Sequence, residues 1–281
     1  MKKIIIFCIA LFGFTPFAFA DISTTTNVAF YKFNEVSGEL IDYSGNSNNG
    51  GVNGISYTSG IINGAYLFNG TSDYVNLSNS SSFSFSNAIT ISAWVYITST
   101  SSNGIIIGND TNTARCWDLG INDNQIQYQF FTPDAHYGNI GTIPLNQWTF
   151  IAETFDGDTH MINVYENGVN ILNLGSVGSS MNVSGNDIMI GRRAYSGSEL
   201  YLNAKIDELG VWNVALSGSD ISALYNSGLG LSYPFTITST STATTTSSIT
   251  DYSLDFGIAI LIVLMFIITI GFIFNNLHIK K

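Results

Sequence analysis

The sequence predicts an all-β domain, a two-sheet antiparallel sandwich of jelly-roll type, followed by one C-terminal transmembrane helix. Three observations predict the sandwich. Ile89 to Thr98 alternates strictly, with Ile89, Ile91, Ala93, Val95 and Ile97 on one side and Thr90, Ser92, Trp94 and Tyr96 on the other. Asn167-Gly168 sits between two further alternating segments, Met161 to Tyr165 and Val169 to Leu174, and suits a type I′ hairpin turn. Charged residues make up only 10 % of the chain, against 27 glycines and 13 % aromatics, as expected for short strands joined by many turns.

The elements follow in chain order. Residues 1–20 carry Lys2 and Lys3, an apolar run from Ile4 to Phe14, and the small-x-small triplet Ala18-Phe19-Ala20. This is the pattern of a secretion signal cut before Asp21. Residues 27–230 form the β domain. Besides the segments above, Trp148 to Phe155, Asp187 to Gly191 and Ala204 to Trp212 read as strands, and Arg192 to Leu200 as a loop. Ser217 to Asn226 is the one helical pattern: Ser217 as N-cap, Asp220 at the third position, Ile221 and Leu224 inward, and Gly228 past the end.

Residues 235–253 are rich in Ser and Thr and hold too little apolar area to offset chain entropy, so they read as an extended stalk. Residues 256–274 contain no charge. As an α-helix they would cover about 28 Å, close to the hydrocarbon thickness of a bilayer. Lys280 and Lys281 follow within the short tail 275–281, which orients that tail to the cytoplasm. The expected location is the cell membrane, single-pass, with the large domain outside.

Charge and cysteine content narrow the function. Between Asp21 and Ser253 five basic residues stand against nineteen acidic ones, a net charge of −14. Such a field repels a phosphate backbone and argues against nucleic acid as a partner. Cys8 lies in the signal, which leaves Cys116 without a partner for an intrachain disulfide. Cys116 reads as a small buried residue in a strand.

Five segments, in order, resemble the laminin G-like, concanavalin A-like jelly-roll domains. They are Ala29–Asn34 with Asp42–Gly50, Ala65–Val75, Ile91–Val95, the Trp148-to-Gly168 hairpin, and Lys205–Asn213 with Ala215-Leu216-Ser217. The resemblance covers residues 27 to 230. It implies two packed antiparallel sheets, and a module that binds glycans, proteins or other surface ligands. It also implies that the Asn46–Gly50 loop, the Asn69–Asp73 turn and the Asp207 strand approach one another, where Asp207, Asn49, Gly70 through its carbonyl, and Asp73 would hold a structural calcium ion. Calcium takes six to eight oxygen ligands of these kinds. The same residues also suit turns for their backbone preferences.

Sugars stack their C–H faces on aromatic rings while amides and charged groups fix the hydroxyls. The loops offer three such groups: Trp117 near Asp118 and Asn122, Tyr137 near His136 and Asn139, and Tyr195 and Tyr201 around Arg192, Arg193 and Glu199. Trp94, Trp148 and Trp212 lie in strand patterns and read as core. Catalysis has weaker support. Glu153 and Asp156 are the nearest thing to paired acids, but they point to opposite faces of a strand. The expectation is a non-catalytic adhesin or lectin-like module for glycan or extracellular protein, tethered by the C-terminal helix. A structural surface component and a glycoside hydrolase are the alternatives.

Overall fold

The computed structural model describes residue 22 and residues 24–78, 81–110, 115–185, 187–193 and 199–235. The predicted signal, nearly all of the stalk, the predicted membrane helix and the tail lie outside the described residues. Among the described residues no helix is long and apolar enough to cross a membrane.

The strands in chain order are β1 (Asn27–Tyr31), β2 (Gly51–Asn53), β3 (Ser56–Ser59), β4 (Gly64–Asn69), β5 (Tyr74–Asn76), β6 (Ala88–Tyr96), β7 (Gly104–Asp110), β8 (Arg115–Asn122) and β9 (Gln125–Phe131). They continue with β10 (Ala135–Ile140), β11 (Trp148–Asp156), β12 (Met161–Glu166), β13 (Val169–Gly175), β14 (Met189–Ile190), β15 (Arg192–Arg193), β16 (Leu200–Tyr201) and β17 (Asn203–Trp212). One α-helix follows, α1 (Gly218–Tyr225).

The first sheet runs β13-β12-β11-β6-β17-β4-β3, with β1 beside β17. The second runs β10-β9-β8-β7-β14-β5-β2, and β15-β16 is a separate small pair. The pairings are antiparallel. The protein is thus the all-β two-sheet sandwich that the alternation predicts.

Alternation also explains the layers. Ile89, Ile91, Ala93 and Val95 of β6 and Ile151 and Phe155 of β11 face the other sheet. There they meet Trp117, Leu119 and Ile121 of β8 and Ile126, Tyr128 and Phe130 of β9. The Phe130 and Phe155 rings touch across the interior, 5.7 Å between centroids. The opposite side of the first sheet is buried as well. Phe30, Trp94, Phe150, Ala152 and Trp212 form a second cluster there, roofed by Ile221 and Leu224 of α1. That roof is why Trp94 and Trp212 are buried although they face away from the main core. Trp148 is only half-buried.

Local chemistry sets the turns. Asn167 and Gly168 both take positive φ, 50° and 76°, as a type I′ turn requires. At α1 the Ser217 side chain accepts from the Asp220 amide while Asp220 accepts from the Ser217 amide, a complete capping box. The helix stops at Asn226 in the left-handed region, before Gly228 is reached.

Three expectations change. The loop predicted over Arg192 to Leu200 begins and ends in strand, Arg192 pairing with Tyr201 and Arg193 with Leu200. The Asp187 to Gly191 strand shrinks to Met189–Ile190. Phe235, expected to open the stalk, packs on the domain instead. Its ring lies 5.2 Å from Phe30 and 6.0 Å from Trp212. Three aromatic side chains gain more from burial there than a polar stalk residue could. Ile22, at the other end of the described chain, is buried in the same cluster.

Candidate functional site

The outer face of the second sheet carries a groove of about 490 Å³. It is built by β8, β9 and β10. Gln125-Ile126-Gln127-Tyr128-Gln129-Phe130 alternates, so the apolar residues enter the core and the glutamines stand outside. Register then aligns Asp118, Gln129 and Tyr137 in one cross-strand row, and Gly120, Gln127 and Asn139 in the next. Asn122 and Asn103 close one end, and Arg193 and Leu200 of the β15–β16 pair form a side wall.

The groove is held in shape by a stack beside it. Tyr137 is 65 % exposed, and its ring lies nearly parallel to Phe131, at 24° with centroids 6.5 Å apart. The Arg115 guanidinium covers the Phe131 ring at 4.1 Å and donates to Oε1 of Gln129 at 2.9 Å. Gln129 therefore has its carbonyl oxygen engaged and its N–H₂ left as a donor. Carboxamides donate and accept at once, which matches the paired hydroxyls of a sugar, and the fixed Tyr137 ring offers a flat surface for its C–H face.

Among the described residues the groove lining contains no carboxylate. Asp118 stands in the Gln129–Tyr137 row but is fully buried. Glu153, the acid nearest to a glycosidase pattern in the sequence, faces the sandwich interior with no exposure. Neither of its oxygens has a hydrogen-bond partner among the described residues. Burial pushes its pKa well above the usual carboxylate range, and the neighbouring Asp118 pushes it further. Asp156 instead closes a turn by accepting from Asp158 and Thr159. Among the described residues no pair of acids flanks the groove as glycoside hydrolysis needs.

The sequence-predicted site residues divide as follows. Tyr137 and Arg193 line the groove. Tyr201 lines a neighbouring hollow. Arg192 is engaged in structure, 3.8 Å from Glu199 and over the rings of Tyr74 and Tyr201. Tyr195 lies outside the described residues. Trp117 is a correction: it is 1 % exposed and sits on the core face of β8, opposite Phe130. Its neighbours Leu119 and Ile121 share its parity, so the strand turns all three inward. Asn122 and Asn139, expected beside Trp117 and Tyr137, also line the groove, whereas the amides Gln127, Gln129 and Asn103 were missed. The Gln-x-Gln-x-Gln alternation is the signal that could have found three of the strand's outward positions.

The expected calcium ligands do not fit a cation as a set. Oδ1 of Asn49 accepts from the Asp42 amide. Asp73 accepts from the backbone and side-chain nitrogens of Asn69. Oδ2 of Asp207 accepts from Ile61 and Ile62, and Oδ1 from Glu208. Gly70, at φ 76°, donates its N–H to Leu202. A calcium site needs lone pairs aimed at one point. Here the side-chain oxygens of Asn49, Asp73 and Asp207 each face N–H donors, and among the described residues no three His, Cys, Asp or Glu side chains gather as a metal group. Chelation with EDTA should therefore leave the melting temperature unchanged within about 1 °C. A fall of several degrees, restored by calcium, would overturn this assignment.

Comparison with known proteins agrees with this architecture. No curated protein matches the chain in sequence. Among solved structures the chain resembles the binding domain of Paraclostridial Mosquitocidal Protein 1, with TM-score 0.60 and 18 % identity, over 73 % of this chain and 53 % of that one. It also resembles domain 4 of AbnA, an extracellular arabinanase from Geobacillus stearothermophilus, solved in complex with arabinotriose. There the TM-score is 0.56 and the identity 21 %, over 70 % of this chain and 97 % of that domain. A third is a botulinum neurotoxin type C structure that concerns cell entry through two ganglioside molecules (TM-score 0.56, 18 % identity, 73 % and 51 % coverage). The chain spans about half the length of the toxin chains it matches. A laminin G-like family model covers residues 69–222, more than half of the sequence, and takes in the three groove strands and the β17 bulge. The chain belongs to the concanavalin A-like lectin/glucanases superfamily.

Proposed function

We propose that the domain is a non-catalytic glycan-binding module, displayed at the cell surface by its C-terminal segment, and that it holds carbohydrate in the groove on the second sheet. The observation that carries this reading is the pairing of an exposed, buttressed Tyr137 ring with rows of carboxamides on a rigid sheet. Sites on strands hold their groups more firmly than sites on loops. The arabinotriose bound by the AbnA domain and the gangliosides of the neurotoxin support the same class of ligand. The lack of carboxylates in the described lining supports binding without hydrolysis.

A glycan array probed with the full-length protein in detergent tests this reading. Binding to a defined set of glycans is expected. Tyr137→Ala should weaken it at least tenfold, the usual cost of truncating an aromatic anchor. A blank array, or binding indifferent to Tyr137→Ala, refutes the proposal. Release of reducing sugar from a bound polysaccharide would return the hydrolase alternative.

A further inference from the structure

A second hollow, also of about 490 Å³, adjoins the groove. The two share Asn103 and Leu200 in their walls. Either volume alone is in the range of a small-ligand pocket. Beyond Leu200 the lining becomes Thr71, Ser101, Tyr201 and Asn203, with Glu199 at the side.

The local sequence explains this wall. Leu202 and Ala204 are buried while Asn203 between them is exposed, so alternation turns Asn203 outward as β16 leads into β17. The turn after β4 is pinned onto the same strand, with the Gly70 amide donating to the Leu202 carbonyl at 2.9 Å. Oδ1 of Asn69 accepts from the amides of Thr71 and Ser72 and so shapes that turn. A Cβ at Gly70 would stand 2.9 Å from the Cβ of Asn203, so glycine lets the turn lie close against this strand.

We infer that the two hollows are one continuous cleft for a linear, uncharged oligosaccharide, crossing the Leu200 ridge between Tyr137 and Tyr201. This inference rests on the glycan reading above and deepens it. The polar wall continues past Leu200, so the site does not close around one terminal sugar. Its charges select against charged polymers. Arg193 borders the first hollow and Glu199 the second. A polymer of one repeated charge gains at one of these groups and loses at the other, and Glu199 is already paired with Arg192 at 3.8 Å. Repeated charge therefore brings desolvation cost without net attraction, whereas a neutral chain avoids that cost. Leu200 presents apolar surface where two adjoining sugar rings would pass.

Calorimetry of the full-length protein in detergent against arabino-, xylo- and cello-oligosaccharides of one to six units tests the cleft. Galacturonate and glucosamine oligomers serve as charged counterparts. For at least one neutral series, affinity should rise tenfold or more from the disaccharide to the tetrasaccharide. The double variant Leu200→Ala/Asn203→Ala should flatten that rise to less than threefold, with thermal melts showing that it is folded. Binding independent of chain length, a rise that survives the double variant, or preference for a charged series overturns the continuous neutral cleft while leaving the glycan reading standing. Silence of every series, neutral and charged, overturns both.

Discussion

Replacing Asp42 by alanine is expected to lower the unfolding free energy by about 4 kcal/mol, the cost of removing a buried, multiply bonded charge. Asp42 is almost fully buried. Its Oδ1 accepts from the amides of Phe30 and Ser44, at 3.0 and 2.9 Å. Its Oδ2 accepts from the Ser44 hydroxyl and the Asn48 amide, both at 2.9 Å. The Asp42–Gly50 loop is thereby clasped to β1, and Tyr31 completes the clasp by donating to the Asn48 carbonyl at 2.7 Å. Alanine strands several donors in a place with little water. Asp42→Asn keeps one acceptor oxygen and should recover part of the loss. Denaturant unfolding of the full-length protein measures both variants. A loss under about 1 kcal/mol for Asp42→Ala would show that the loop's order does not depend on this carboxylate.

The second large effect is on pH dependence. Asp207 and Glu208 are adjacent buried acids where β17 bulges against β6, between the Asp207–Trp94 and Gly210–Ser92 pairs. Glu208 is 2 % exposed and holds the left-handed φ of 48°, strained for a side chain of its size. Burial raises Asp207 to about 7, although three backbone amides pull the other way. Burial, then the charge of Asp207, raises Glu208 to about 8, opposed by Ser232 and Lys32. Neither Glu208 oxygen has a hydrogen bond of normal geometry among the described residues.

Both acids ionise more readily in the unfolded chain than in the fold. Their contribution to stability is therefore complete below about pH 4 and declines as pH rises, until the folded acids themselves ionise near 7 and 8. At about 1.4 kcal/mol per pH unit, Glu208 alone removes roughly 5 kcal/mol across that window. Glu153 acts in the same direction. Glu208→Gln should raise the melting temperature by about 5 °C at pH 8 and change it little at pH 4.5, after allowing for the unpaired amide it buries. Equal melting temperatures for the two proteins at pH 8 would contradict the buried-acid account.

The legible parts of the fold were those whose turns announce themselves. β6 and β11 alternate over nine residues each, the β12–β13 hairpin carries Asn167-Gly168, and α1 opens on Ser217 with Asp220 behind it. The four strands from β7 to β10 were harder to see. The hairpin between β8 and β9 turns on Asp123 and Asn124, both at positive φ without a glycine. In β8 the fully buried Asp118 interrupts what would otherwise look like an apolar strand. The candidate site lies on these strands. Of its lining, Tyr137 and Arg193 were therefore found, with Asn122 and Asn139 as companions, while Gln127, Gln129 and Asn103 were not, and Trp117 was placed in a loop. The expected calcium ligands illustrate a related point. Sequence reveals which oxygens are present, but not that backbone amides already face them.

Phe235 and Ile22 lie against Phe30 and Trp212, on the back of the sheet that does not carry the groove. Mechanical load entering through either end of the described chain is thus received by β1 and β17, which are paired to each other. It reaches β8, β9 and β10 through the apolar filling between the layers and the connections between the sheets. A ligand could be held while the chain is under tension, with the binding strands outside the direct path of force.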